Sequence, residues 1–82
     1  MKSWFVYIVK CVDDSLYTGI TVDVESRVTK HNKGDGAKYT RARLPVELVW
    51  YKKCKNESFA RKREAEIKGW SRSKKLELIG SS

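Results

Sequence analysis

The 82-residue sequence predicts one small α+β domain in which three strands and three helices follow one another in the order β-β-α-β-α-α. Three observations carry that prediction. The segment Trp4 to Cys11 is β-branched and aromatic with almost no alternation, the mark of a strand covered on both faces. Turn residues Asp13-Asp14-Ser15 follow it and lead into a second β-rich run, Leu16 to Thr21, so the two read as a hairpin. Beyond that point, Asp23, Asn56 and Ser71 each stand as an N-cap ahead of a helical segment.

The elements can be justified in turn. Trp4–Cys11 belongs in the middle of a sheet, and Leu16–Thr21 pairs beside it. Gly19, inside the second strand, marks either a bulge or a place where another group comes close to the backbone. Asp23 caps a helix running to about Asn32, and Gly34 stops it. The next stretch, Lys33 to Leu44, carries glycines, basic residues and one tyrosine without any period, and is expected as a long basic loop. Pro45 opens a third strand, Val46 to about Lys52, in which Val46, Leu48 and Trp50 alternate with Glu47 and Tyr51. Asn56 caps a second helix ending near Gly69, and Ser71 a short third one through Leu76 and Ile79. No repeat, low-complexity tract or linker divides the chain, so residues 1–82 form a single domain.

Composition excludes several classes. An apolar fraction of 40% supports a core and argues against disorder. No stretch approaches the roughly 18 apolar residues of a membrane span, and Trp4–Val9 is too short for a signal peptide's apolar core. Two cysteines, Cys11 and Cys54, allow at most one disulfide, and with His31 added they still make no closed zinc quartet. Read as reduced thiols, they point to a cytoplasmic protein. The charge is one-sided. Residues 1–25 carry a net −2, while the remainder carries 16 basic and 6 acidic side chains, a net +10 within an overall +8. A segment with that excess favours a polyanion, of which nucleic acid is the commonest in a cell.

Polar residues also fall where apolar ones are expected. In the first helix Val24 and Val28 mark the buried stripe, and Arg27 and His31 lie on or beside it, one turn apart. In the second, Phe59, Ala60 and Ile67 define the inner side, which places Glu64 inward and Glu66 outward. Two readings fit: a buried salt-bridge network, or a cleft in which Glu64 holds a divalent cation and Arg27 faces a phosphate. Tyr7 and Tyr17 sit on neighbouring strands. A two-residue loop puts them on opposite faces, and a three-residue loop or one bulge puts them on the same face.

These residues resemble the GIY-YIG nuclease superfamily, in particular its small stand-alone bacterial members. The first motif stands as Val6-Tyr7-Ile8 and the second as Tyr17-Thr18-Gly19, about ten residues apart. A helix with Arg27 and His31, a loop with Gly36-Ala37-Lys38-Tyr39-Thr40-Arg41, and a late Glu64 follow, so the likeness covers Trp4 to Ile79. The resemblance implies a three-stranded antiparallel sheet flanked by helices with the active site on one sheet face. It also implies phosphodiester hydrolysis assisted by one divalent metal, Mg²⁺ or Mn²⁺. Position by position, Glu64 matches the metal-binding glutamate, Arg27 the phosphate-facing arginine, and Tyr7 and Tyr17 the motif tyrosines. His31 matches a site that is histidine or tyrosine in relatives. The first motif's glycine and isoleucine are replaced, leaving its tyrosine. Ile20 stands where excision-repair relatives have a lysine, which leaves the general base open.

The residue types suit that chemistry. Arg27 offers a permanently charged planar fork for non-bridging oxygens, and one carboxylate suffices for an ion that keeps most of its waters. A free tyrosine titrates near about 10, so Tyr17 is a base only where cations lower its pKa; His31 has the better unperturbed value. We expect Tyr17 to be the base or to orient the water, with Tyr7 and His31 supporting it. Lys33, Lys38, Arg41 and Arg43 around Tyr39 read as a phosphate-tracking loop with one stacking aromatic. With no groove-reading motif, the expected activity is a structure-directed endonuclease on DNA, in repair or recombination, with a protein partner supplying any further specificity. The competing reading is a nucleic-acid-binding module that keeps the fold and basic surface without catalysis.

Overall fold

The computed structural model describes residues 3–81. Its sheet has three antiparallel strands in the order β2-β1-β3, with β1 spanning Trp4–Lys10, β2 Leu16–Thr21 and β3 Glu47–Cys54. The strand apolar on both faces is the central one. Val6, Tyr7, Ile8 and Val9 are all buried, even-numbered side chains on one face and odd-numbered on the other.

The hairpin settles the position of the tyrosines. The Cys11 amide donates to the Ser15 carbonyl at 2.8 Å, which leaves a three-residue loop, Val12 to Asp14, with Asp14 in the left-handed region at φ 67°. That loop pairs Val9 with Tyr17 and Tyr7 with Gly19, so both tyrosines lie on one face. The β1–β2 register runs without interruption through Gly19, so this residue is a point of close approach and not a bulge. A Cβ there would lie 2.6 Å from the Tyr7 hydroxyl oxygen, because the Tyr7 ring crosses β2 directly above it. The irregularity is on the other side of the sheet. Between Ile8 and Val9 the β1–β3 register shifts by one residue. Leu48 therefore joins Tyr7, Val9 and Val46 on one face, while Trp50 joins Val6 and Ile8 on the other. The strict alternation read for Val46, Leu48 and Trp50 is broken by that shift.

Helices cover both faces. Helix α1, Val24–Asn32, is capped by Asp23, whose carboxylate accepts from the Ser26 amide at 3.1 Å, and it packs Val28 over the tyrosine face. Helix α3, Glu57–Lys68, is capped by Asn56 onto Phe59 at 3.0 Å and buries Ala60 and Ile67 over the Val6–Ile8–Trp50 face. Helix α4, Arg72–Ser81, adds Leu78 and Ile79 to the same core. Burying Ile67 completely stabilises the fold by about 1.5–3 kcal/mol. Two expectations are corrected here. Phe59 is not on the inner side of α3: it is exposed, because it lies roughly 100° around the helix from Ala60. The Lys33–Leu44 stretch is not entirely loop, since Lys38–Arg41 form one turn of helix, α2, held by its contacts to His31 rather than by a period of its own.

Candidate active site

The polar residues of α1 converge on the tyrosine face. His31 is fully buried and donates or accepts at both ring nitrogens. Its Nε2 lies 2.8 Å from the Tyr7 hydroxyl and its Nδ1 2.8 Å from Thr40 Oγ1. The Thr40 hydroxyl in turn donates to the Ala37 carbonyl at 3.0 Å. The Ala37 N–H also donates to Nδ1, at 3.4 Å, so Thr40 and Ala37 together hold that ring nitrogen while Nε2 pairs with the Tyr7 hydroxyl. The Tyr7 oxygen then has a lone pair free for Arg27, whose Nε donates to it at 3.4 Å. Gly36 makes room for this: a Cβ there would lie 2.2 Å from His31 Nδ1. Two glycines thus make room in one hydrogen-bonded chain, Tyr7–His31–Thr40, Gly19 beneath the Tyr7 ring and Gly36 against the His31 ring.

Electrostatics follow the burial. Desolvation raises the Tyr7 pKa above its ordinary value, and the Glu64 and Tyr17 charges push the same way against the Arg27 guanidinium. Desolvation lowers the His31 pKa, with Arg27 adding to the effect. Tyr7 is a neutral phenol and His31 a neutral imidazole at physiological pH, both out of contact with solvent.

The accessible groups stand around this buried chain. Glu64 is turned inward as expected, yet its side chain keeps 22% exposure, and Lys68 Nζ lies 3.4 Å from its carboxylate. It is not a carboxylate entombed among aliphatic side chains. Its negative charge is one of the influences that raise the Tyr7 pKa, opposed there by the Arg27 guanidinium that contacts the hydroxyl. Glu66 points outward and pairs with Arg63. Tyr17 is half-buried, edge-on to His31 with centroids 5.5 Å apart, and its hydroxyl has no hydrogen-bond partner among the described residues.

The basic loop divides into two parts. Lys33, Lys38 and Arg41 are exposed and unpaired by any carboxylate among the described residues. Tyr39 is 41% exposed and stacks on Tyr17, with centroids 6.0 Å apart and planes at 21°. Arg43 is engaged within the chain. It donates to Asp13 at 3.1 Å and to the Tyr39 carbonyl at 2.7 Å, and its guanidinium lies 4.1 Å from the Tyr39 ring centre. Tyr51, on the same face, packs edge-on to Phe5 away from the cluster.

Sequence reasoning gave no role to Thr40 as the partner of His31 or to Lys68 as the partner of Glu64. Helix spacing could have found Lys68, four residues after Glu64, whereas a threonine in an aperiodic loop carries no such signal. Among the described residues no three His, Cys, Asp or Glu side chains group to hold a metal, and both cysteines are free thiols. That donor set is wrong for zinc. A single accessible carboxylate suits a hard ion that keeps its waters and takes further oxygens from a phosphate.

An arginine on the Tyr7 hydroxyl, an inward accessible carboxylate, an unengaged phenol and exposed basic side chains on the loop are groups that a phosphate ester could meet on a small α+β domain. The chain belongs to the GIY-YIG family, whose catalytic-domain model matches residues 3–77. Its relatives include UPF0213 proteins of Staphylococcus aureus strains Mu3 and Mu50, each 60% identical over 79 residues and covering 96% of both chains. The solution structure of a UPF0213 protein from Bacillus halodurans is similar at a TM-score of 0.64 and 44% identity, covering 98% of this chain and 85% of that one. A protein from E. faecalis is similar at a TM-score of 0.66 and 38% identity, covering 99% and 86%. Family membership carries a nuclease-type function with nucleic acid as substrate. No described helix is long and apolar enough to cross a membrane.

Proposed function

We propose that this protein is a cytoplasmic endonuclease that hydrolyses DNA phosphodiesters with the help of one Mg²⁺ or Mn²⁺ ion. The observation that carries the reading is Arg27 seated on the buried Tyr7 hydroxyl, with the unengaged phenol of Tyr17 on the same sheet face and the inward Glu64 carboxylate still accessible. Glu64 would hold the ion, which when bound supplies Lewis-acid polarisation of the scissile phosphate. Arg27 uses Nε on Tyr7, and its terminal nitrogens, unpartnered among the described residues, face the non-bridging oxygens. Tyr17 orients the attacking water, or serves as the base that takes its proton, while the water oxygen attacks phosphorus. The departing ester oxygen is protonated by solvent. Tyr7 is the poorer base, being buried and held neutral, and acts with His31 and Thr40 as the frame that positions Arg27 and Tyr17. Lys33, Lys38 and Arg41 track the backbone. A site reading backbone and shape suits branched, nicked or single-stranded substrates, in repair or recombination, with a protein partner adding specificity.

The test is cleavage of a labelled DNA panel (single-stranded, duplex, nicked, branched) with and without Mg²⁺. Wild type is expected to cut only with the metal, and Glu64→Ala and Arg27→Ala to lose at least about 100-fold, the scale of removing a charge-stabilising group. Tight, salt-sensitive binding with no cutting in Mg²⁺ or Mn²⁺ would instead establish a non-catalytic binding module.

A further inference from the structure

Helix α3 has a second polar flank that the catalytic reading leaves unused. Phe59 lies on it and is 50% exposed, although it is the helix's largest apolar side chain. It lines a groove of about 380 Å³ between α3 and the end of β3, together with Lys52, Lys55 and Lys62. Lys55 Nζ lies 5.9 Å from the Phe59 ring centre. These three lysines have no carboxylate partner among the described residues, while the groove's one acidic residue, Glu66, is taken up by Arg63. An exposed flat ring among uncompensated ammonium groups is how surfaces that stack bases and track phosphates are built. The groove also adjoins the site already described. At about 100° and 1.5 Å per residue, Glu64 lies about 140° around the helix from Phe59 and about 7.5 Å further along it. Groove and catalytic edge therefore occupy opposite flanks of the same helix, roughly 12–14 Å apart once the helix diameter and the axial offset are combined. The solvent-facing arc between them carries Arg61, Lys68, Ser58, Lys62 and Ala65, and its two carboxylates are neutralised within the helix, Glu57 by Arg61 and Glu66 by Arg63.

We infer that the Phe59 groove is a second nucleic-acid contact, which holds an unpaired single-stranded segment of the substrate as it passes over α3 from the catalytic edge. The inference rests on the nuclease reading for the word substrate, and its binding test does not. Phe59 stacks one base, and Lys52, Lys55 and Lys62 meet phosphates on either side. A paired duplex keeps its base faces covered and has none to offer the ring, so the groove selects substrates with a single-stranded arm.

Cys54, half-buried in the groove wall, provides a native reporter, since Cys11 is buried. The experiment measures binding of a labelled oligodeoxythymidine and of a duplex of equal length in EDTA. It is paired with the rate of Cys54 alkylation in the presence and absence of each. Wild type is expected to prefer the single strand, with Cys54 protected by it. Phe59→Ala should weaken single-strand binding about 5- to 100-fold, the range for one stacked base, with little change for duplex. Equal affinity of wild type and Phe59→Ala for the single strand, or unprotected Cys54, would overturn the inference while leaving any metal-dependent cutting intact. Weakening by Lys62→Glu but not by Phe59→Ala would also overturn it, by showing a surface that meets phosphates only. Phe59-dependent binding by a protein that cuts nothing would uphold the groove and sink the nuclease reading instead.

Discussion

Gly19→Ala is the sharpest probe of how the site is assembled. The added Cβ would meet the Tyr7 ring at 2.6, 2.8 and 3.0 Å from its hydroxyl oxygen, Cζ and Cε1, where ordinary contacts need about 3.5 Å. Relief requires the hydroxyl end to move by about 0.7–0.9 Å. Tyr7 has nowhere to go cheaply, because it is fully buried and bonded to His31 at 2.8 Å. A shift of that size stretches the Tyr7–His31 bond beyond hydrogen-bond range and releases Arg27, which already sits at 3.4 Å. Overpacking costs about 1–3 kcal/mol. The loosened hydrogen bond adds about 1 kcal/mol. At about 4–8 °C per kcal/mol for a domain of this size, Tm should fall by about 8–30 °C. Cleavage measured below that Tm should fall about 100-fold, the cost of misplacing reacting groups by 1 Å. Urea unfolding at matched pH and a cleavage assay at 15–20 °C below each Tm (about the usual margin for a folded sample) check both. Gly80→Ala is the control, because nothing lies within 4 Å of its Cβ position and its stability should hold or rise slightly. A Gly19→Ala protein with wild-type Tm and activity would refute the packing of Tyr7 across β2.

Three further outcomes follow from the geometry. Thr40→Val strips His31 Nδ1 of its 2.8 Å partner and should cost about 1–3 kcal/mol by urea unfolding, whereas Thr40→Ser should recover most of it. Asn32→Ala removes the amide that bonds both the Val46 N–H at 2.7 Å and its carbonyl at 3.1 Å, and should also destabilise by about 1–3 kcal/mol, read as a drop in urea midpoint without change in slope. Burial holds the His31 pKa below 6.5, so as pH falls the unfolded chain takes up the proton first. Stability is therefore complete above about pH 6.5 and declines below it, by at most about 1.4 kcal/mol per pH unit from this group; His31→Gln should flatten the slope between about pH 6.5 and 5.5, and an unchanged slope would count against a buried neutral imidazole.

Much of this was legible in the chain itself. Four consecutive buried residues, Val6 to Val9, can only be a central strand, and the caps at Asp23, Asn56 and Ser71 mark helix starts that side-chain chemistry alone dictates. Glu64 inward and Glu66 outward followed from helical spacing. What spacing could not supply was anything decided across elements. The three-residue hairpin loop, which puts Tyr7 and Tyr17 on one face, depends on a left-handed Asp14 that competes with shorter turns of similar composition. The register shift beside Val9 sends Trp50 and Leu48 to different cores, and no local pattern encodes it. The α2 turn exists because Thr40 and Ala37 meet His31, a partner nine residues away in sequence from Thr40. Phe59 was misplaced because an apolar residue next to Ala60 was taken to share its face, which helical geometry does not allow.

The central claim is that Glu64 holds a divalent ion at the mouth of the Tyr7–His31 pair. Paramagnetic broadening by Mn²⁺ in the amide NMR spectrum of the folded protein, with a non-cleavable oligonucleotide bound, locates that ion without relying on turnover. The account predicts broadening centred on Glu64 and reaching Tyr17 and Tyr7, abolished in Glu64→Ala at unchanged fold. Broadening centred instead on the exposed carboxylates Asp13 and Asp14 or Asp23 and Glu25, and unaffected by Glu64→Ala, would contradict it.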